Sequence, residues 1–359
     1  MKVLITAPSL DESANVSGIS TLARQIISGG AADFYHFRAG KKDGEKTGGE
    51  WLLQQILLVP RFLQTIRRER IDIVHLNTAL VPLSIGRDFA LASAARIARR
   101  PILLHLHGGR FLMNKFESRA LALMTEKMFR LASVIVVLSE HEKASLTRRW
   151  RNLDARILPN AVALTEIPPI ERALKEEKTI VFLGRLHESK GLHEIVEACR
   201  VLKNEGFDFQ FKCFGAGALE DFFVGEMSRI LGDKFYFGGI VAGAEKWRQL
   251  ASCDIFLLPS RYGEGLPMAM LEAMAAGCTV VTSEMASVGA VVQNGVNGFT
   301  VEPGNVAQLV DTLKMILADE IDAKIIGETA KETIAAKFNL RVYIEKLEKI
   351  YADIAARKT

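Results

Sequence analysis

No stretch of the 359 residues reaches about 18 consecutive apolar positions, so nothing in the sequence reads as a membrane-spanning helix. Cysteine is scarce: Cys199, Cys213, Cys253 and Cys278 stand singly in apolar surroundings with no C-x-x-C spacing. That pattern predicts buried, reduced thiols and, with them, a cytoplasmic location. The opening MKVLITAPSL has one lysine and a brief apolar run but no small-residue cleavage site, which predicts a strand rather than a signal peptide. Zinc-finger spacing, an aromatic-rich ribonucleoprotein motif and a continuous basic helix are all missing, so nucleic acid is not an expected partner.

A hydrophobic content of 49% in a chain of this length predicts two domains of ordinary size, each with a substantial core. Charge is divided unevenly between them. Residues 1–165 carry 24 Lys and Arg against 14 Asp and Glu, a net of +10, while the remainder carries 22 against 28, a net of −6. Anionic lipid headgroups or a phosphorylated acceptor would account for the basic half, with interleaved apolar residues as the distinguishing mark. The stretch WLLQQILLVPRFLQTIRRER has that mixture. Leu52, Leu53, Ile56, Leu57 and Val59 crowd one side, Pro60 kinks or restarts the helix, and Arg61, Arg67, Arg68 and Arg70 gather toward its end, a stripe that fits either core packing or contact with a membrane surface. The preceding GKKDGEKTGG reads as a mobile loop.

Apolar runs and amphipathic helices alternate through the first half: VLITAP, a helix from about Ile19, DFYHFRAG, IDIVHLN, a helix over about 83–99, PILLHLHGG and SVIVVLS. Gly18 lies between the first strand and its helix, as a phosphate cradle or as a plain turn. In PILLHLHGG, strand alternation places His105 and His107 on one face, with His107 at the carboxyl end beside Gly108 and Gly109. A zinc site would need a third ligand, and His75 at another strand does not supply that geometry, so no metal is expected. A proline- and charge-bearing stretch over about 164–176 marks the domain boundary.

The second half opens with TIVFLGRLHESKGL, where Arg185 and Lys190 flank a short loop at a strand end. Two such cations suit a diphosphate, or are simply solvated. Its centre is DIFLLPSRYGEGLPMAMLEAMAAGCTVVTS, strand, loop, helix and strand, with Pro267 at the helix start and Gly277 at its end. That helix aims free N–H groups out of the carboxyl end of a buried strand, where phosphate binds in open α/β sheets. Glu264 and Glu272 flank the spot. Either alone would compensate a helix dipole; together near a phosphate site they suggest a ligand carrying sugar hydroxyls as well. The βα alternation of both halves predicts an α/β protein of two Rossmann-like domains facing a cleft.

EGLPMAMLEAMAAG resembles the E-x7-E signature of glycosyltransferase family 4, retaining enzymes with the two-domain GT-B fold, and the Gly184-Arg185 to Lys190 element is similar to the family's own. The resemblance implies transfer of a sugar from a nucleotide-diphosphate donor to an acceptor hydroxyl, with no cofactor and no bound metal. It assigns Arg185 and Lys190 to the diphosphate and leaving group, Glu264 with Gly265, Leu266 and Pro267 to the donor sugar, and Glu272 to the ribose. By the same resemblance His107 meets the sugar near the reacting carbon, the backbone at Gly238 or Gly239 meets the base, and Gly18 sits where the family commonly has two adjacent glycines. The implied domains are 1–165 with a returning tail helix over 339–359, whose stripe is Tyr343, Leu347, Ile350 and Ile354, and 166–338. With the charge asymmetry, the expected acceptor is a lipid-linked or cell-surface glycan precursor met at an anionic membrane surface, on the inner face of the cell membrane. A sugar-nucleotide epimerase of the same fold, or transfer to a small soluble acceptor, is the alternative.

Overall fold

The computed structural model describes residues 1–11, 17–40, 48, 54–108, 110–113, 116, 118–168, 177–285 and 287–357. Most of the GKKDGEKTGG loop, together with Trp51, Leu52 and Leu53, lies outside the described residues, as does Gly109. The chain forms two compact units, Met1–Asn160 with Leu340–Thr359, and Ala161–Asn339.

The first unit alternates β1 Lys2–Ala7, α1 Gly18–Gly29, β2 Asp33–Arg38, α2 Leu58–Arg68, β3 Ile73–Thr78, α3 Pro82–Ile97, β4 Ile102–Leu106, α4 Arg119–Leu131, β5 Val134–Val137, α5 Glu140–Arg149 and β6 Ala155–Ile157. Its six strands pair in the order β2-β1-β3-β4-β5-β6, all parallel. Every residue of β3 and β4 is buried, as a parallel sheet covered on both faces requires. The C-terminal helix Leu340–Ala356 belongs to this unit and buries Tyr343, Ile344, Leu347, Ile350, Tyr351 and Ile354, a stripe wider by Ile344 and Tyr351 than the four-residue reading.

Around α2 the apolar stripe divides between core and surface. The helix's buried residues are Phe62 and Ile66, whereas Ile56 and Leu57 just before it stand 66% and 42% exposed. The core-facing side is thus set by the 3.6-residue period continuing from Phe62; Leu58 and Val59 are partly buried against the core, while Ile56 and Leu57 are left on the surface. Residues 54–56 are helical, the chain turns at Leu57 and α2 starts at Leu58, so the helix restarts just ahead of Pro60, which falls within the first turn, where a missing N–H removes no intrahelical bond.

The second unit runs β7 Thr179–Leu183, α6 Leu192–Asn204, β8 Gln210–Phe214, α7 Glu220–Leu231, β9 Phe235–Phe237, α8 Gly243–Ala251, β10 Ile255–Leu258, α9 Met268–Ala275, β11 Thr279–Ser283, β12 Phe299–Val301, α10 Val306–Leu317 and α11 Ala323–Lys337. Here the order is β12-β11-β10-β7-β8-β9, again all parallel. The chain builds outward from β7 in one direction, then returns to place β10 on its other side. The topological switch point therefore falls between β7 and β10. The turn-rich NGVNGFTVEPGN contains β12, which pairs parallel with β11 at the sheet edge. All four cysteines are buried and none is in a disulfide, and burial pushes the Cys199 and Cys213 thiols above their ordinary range. Among the described residues no helix is long and apolar enough to cross a membrane.

Candidate active site

In the second unit, the loops leaving β7 and β10 are held against each other by backbone. Gly191 adopts φ +72°, and a Cβ there would lie 2.0 Å from the Pro259 carbonyl oxygen, so the chain after β7 touches the chain after β10 at a point only glycine fits. The Arg261 N–H donates to the Ser189 carbonyl at 2.8 Å one step away. A second stitch joins β7 to β8: the Leu186 N–H donates to the Ala216 carbonyl at 2.9 Å, and a Cβ on Gly215 would fall 1.8 Å from the Gly184 oxygen. Gly239, at φ +62°, receives the Gly215 N–H on its carbonyl at 2.7 Å, which ties in the turn after β9. The carboxyl ends of four neighbouring strands thus form one rigid rim.

On that rim Lys190 Nζ is ion-paired with Glu264 Oε1, and the same oxygen accepts from Ser260 Oγ at 3.1 Å. Both partners are largely withdrawn from solvent, with 14% and 12% of their side chains exposed. A pair this shielded is held more firmly than a surface one, because less water competes for it. Arg185, on the other side of buried Leu186, is exposed, and its side chain makes no hydrogen bond or ion pair among the described residues.

Helix α9 follows directly. Pro267 (φ −64°, ψ 123°) delivers the chain into it, and its first backbone bond runs from the Leu271 N–H to the Pro267 carbonyl at 3.2 Å. The amides of Met268 to Met270 therefore have no acceptor within the helix. Pro267 has no N–H, so the amide donors of this loop are Gly265, Leu266 and the first residues of α9, and Pro267 contributes its fixed φ. Gly277 at φ +78° closes the helix. Glu272, inside α9 and 3% exposed, would be an uncompensated buried charge but for Lys246 of α8, whose Nζ lies 2.7 Å from Glu272 Oε1.

In the first unit His107 follows β4, and its N–H donates to the Thr78 carbonyl at 2.9 Å, one step beyond the β3–β4 ladder. Its Nε2 lies 2.6 Å from Asn77 Oδ1. Behind it, the His105 ring stands 4.1 Å away centre to centre, His105 Nδ1 meets His75 Nε2 at 3.3 Å, and His75 Nδ1 meets the Tyr351 hydroxyl at 2.6 Å. Desolvation pushes His75 and His107 down to about 3 and His105 well below its ordinary value. The three rings are neutral across the physiological range. Among the described residues, no group of three His, Cys, Asp or Glu is arranged to hold a metal ion. Gly18 is the exposed first residue of α1, whose N-terminus is capped by Ser17 Oγ accepting from the Ser20 N–H at 3.2 Å; residues 12–16 of its loop lie outside the described residues.

The structure thus brings Lys190 to Glu264 and sets Gly265, Leu266 and Pro267 beside them. It gives Glu272 a cation and leaves Arg185 open. Lys246 and Asn77 had no sequence signal, each being a common polar residue whose partner lies in a different element; Ser260, four residues before Glu264 in the same loop, is by sequence an ordinary polar loop residue.

Two all-parallel six-stranded units of this kind define the GT-B class of glycosyltransferases. A solved structure of sucrose-phosphate synthase from Thermosynechococcus elongatus is similar over 99% of both chains, with a TM-score of 0.81 at 18% identity. Family profiles match both units: "Glycosyl transferase 4-like domain" over residues 17–161 and "Glycosyl transferases group 1" over 165–333. The chain belongs to the family-4-type GT-B glycosyltransferases. Relatives include the amylovoran biosynthesis glycosyltransferase AmsK of Erwinia amylovora, 32% identical over 51% of this chain and 46% of that one. The phosphatidyl-myo-inositol mannosyltransferase of Mycobacterium leprae is 27% identical over 79% and 74%. The match spans under half the length of the first of these. The chain is accordingly related to enzymes of polysaccharide and lipid-linked sugar synthesis.

Proposed function

We propose that this protein is a retaining, metal-independent transferase that moves a sugar from a nucleotide-diphosphate donor to an acceptor hydroxyl of a lipid-linked or cell-surface glycan precursor. The observation that carries the reading is the Lys190–Glu264 pair at the β7/β10 switch point, beside the N-terminus of α9. A cation, the first amides of α9 and an open arginine suit a diphosphate, and a carboxylate among them suits sugar hydroxyls rather than a second anion. Arg185 and Lys190 neutralise the charge that grows on the departing diphosphate. Glu264 and the amides after it hold the donor sugar, Glu272 the ribose, the backbone at Gly239 the base, Gly18 lies on the phosphate side, and His107 contacts the sugar. In this reading the leaving diphosphate accepts the acceptor's proton, and Glu264 is not a covalent nucleophile.

The acceptor reading rests on the first unit's charge. Arg61, Arg67, Arg68 and Arg70 are all exposed beside exposed Ile56 and Leu57. An open groove of about 560 Å³ there is lined by Val59, Pro60, Leu63, Gln64, Arg67 and Arg68. Basic and apolar groups on one surface suit an anionic cytoplasmic leaflet. A panel of nucleotide sugars screened by thermal shift tests the donor assignment, since a ligand at 100 times its dissociation constant stabilises the folded state by about 2.7 kcal/mol. Incubation with donor alone separates transfer from epimerisation: a new sugar nucleotide formed without acceptor would favour the epimerase.

A further inference from the structure

The hydrogen bonds around His107 determine where its proton sits. Asn77 is buried, with its side-chain Nδ2 2.7 Å from the Thr6 carbonyl oxygen and its N–H donating to Thr6 Oγ1 at 3.0 Å. A carbonyl can only accept, so the atom facing Thr6 must be the amide nitrogen, and the atom facing His107 must be Oδ1. Oδ1 in turn only accepts. At 2.6 Å from it, His107 Nε2 therefore carries the proton, and in a neutral ring Nδ1 is left with a lone pair. We propose that Asn77 is a positioning residue that holds His107 as the Nε2–H tautomer, so that Nδ1 meets substrate as an acceptor for a hydroxyl proton. The hydroxyl half of this rests on the sugar-transfer reading above; the tautomer does not.

The surroundings favour the neutral ring. His105 packs against His107 with its ring tilted by 34°, His75 and the Tyr351 hydroxyl lie behind it, and among the described residues no carboxylate or cation is paired with any of the three rings. Among the described residues, a charge on His107 would be met by two other imidazoles and the neutral Asn77 amide. The ring is thus suited to accept from a sugar or acceptor hydroxyl and unsuited to neutralise a phosphate, a division of labour that leaves the anion to Arg185 and Lys190.

The test uses the full chain labelled with 15N-histidine, with His107 assigned by loss of its signals in His107→Gln. Long-range proton–nitrogen spectra at pH 7 should show His107 protonated on Nε2 and bare on Nδ1. A proton on Nδ1, alone or as imidazolium, overturns the proposal, and this measurement does not depend on any variant folding. Adding UDP-glucose, UDP-galactose, UDP-N-acetylglucosamine and GDP-mannose in turn should shift the Nδ1 resonance with the one that binds by calorimetry. Binding with Nδ1 unmoved overturns this inference alone; no binding by any of the four removes the sugar-transfer reading and with it the hydroxyl half, leaving the tautomer to stand on its own spectrum. Asn77→Asp supplies the activity readout. A carboxylate at Nε2 stabilises the imidazolium, and the second proton then occupies Nδ1. At pH values where the spectra show His107 of the variant charged, kcat should fall about tenfold per pH unit and recover as pH rises, while the wild type is flat there. A variant that gains activity as the ring charges, or stays flat, refutes the acceptor role.

Discussion

Gly191→Ala should destabilise the second unit far more than an alanine at another left-handed glycine, because it strikes the contact that registers the two site loops. Gly191 and Gly206 have similar backbone conformations, φ +72° and +85°. An added Cβ meets the Pro259 carbonyl oxygen at 2.0 Å in the first case and nothing within 4 Å in the second. Gly206→Ala therefore isolates the cost of a left-handed Cβ, about 1–2 kcal/mol. Gly191→Ala adds an overlap of more than 1 Å with backbone, which relaxes only by separating the β7 and β10 loops, at a further ~1–3 kcal/mol. Taken at mid-range the sum is roughly 3.5 kcal/mol, or about 7–14 °C in Tm for a unit of this size, against about 3–6 °C for the roughly 1.5 kcal/mol of Gly206→Ala. Calorimetric scans of both variants measure the difference. Sugar transfer by Gly191→Ala should also fall well below that of Gly206→Ala at temperatures where both are folded, since separating the loops parts Lys190 from Glu264. Equal Tm losses, or equal activities, would show that the loops are not registered through this contact.

Arg185→Ala and Glu264→Gln should abolish transfer with little loss of fold; for exposed Arg185 the loss should lie mainly in kcat, because the contact strengthens as charge leaves with the diphosphate, and wild-type turnover in either would remove the assignment. Chelators should leave the wild-type rate unchanged, and strong inhibition would contradict metal-independent transfer. Binding to anionic vesicles should need the exposed arginines: at about 1 kcal/mol each, changing Arg61, Arg67, Arg68 and Arg70 to Gln costs roughly a thousandfold in partitioning, and equal binding to neutral vesicles would count against the membrane surface. Buried His75 titrates near 6.5 when unfolded but at about 3 when folded. The unfolded chain thus takes up a proton that the folded chain refuses, so stability is full above about pH 7 and falls as pH drops from 6.5 toward 3. Its share is at most about 1.4 kcal/mol per pH unit, and denaturant titrations at pH 6.5 and 5.5 should show a shallower slope in His75→Gln.

What the sequence determined by itself is what local pattern encodes. Buried parallel strands are continuous apolar runs, and a helix between proline and glycine announces its ends, so DIFLLPS, the Glu264 loop, Pro267 to Gly277 and TVVTS were legible as a ligand-binding unit. Spacing along one helix turn and one loop also linked Glu264 to Glu272. The tertiary structure decided everything that depends on distant segments meeting. That β10 lies beside β7 rather than β9 is a choice of strand order, and it alone places Lys190 on Glu264, 74 residues away. Lys246 reaches Glu272 across 26 residues because the helices α8 and α9 flank the same strand, and no local preference of either residue foretells it. In the first unit, alternation put His105 and His107 on one face, but the proton on His107 is set by Asn77 and Thr6 from two other strands. Patterns of burial are local because each residue meets solvent or core by itself; hydrogen-bond polarity is not, because it takes a partner to decide which atom holds the proton.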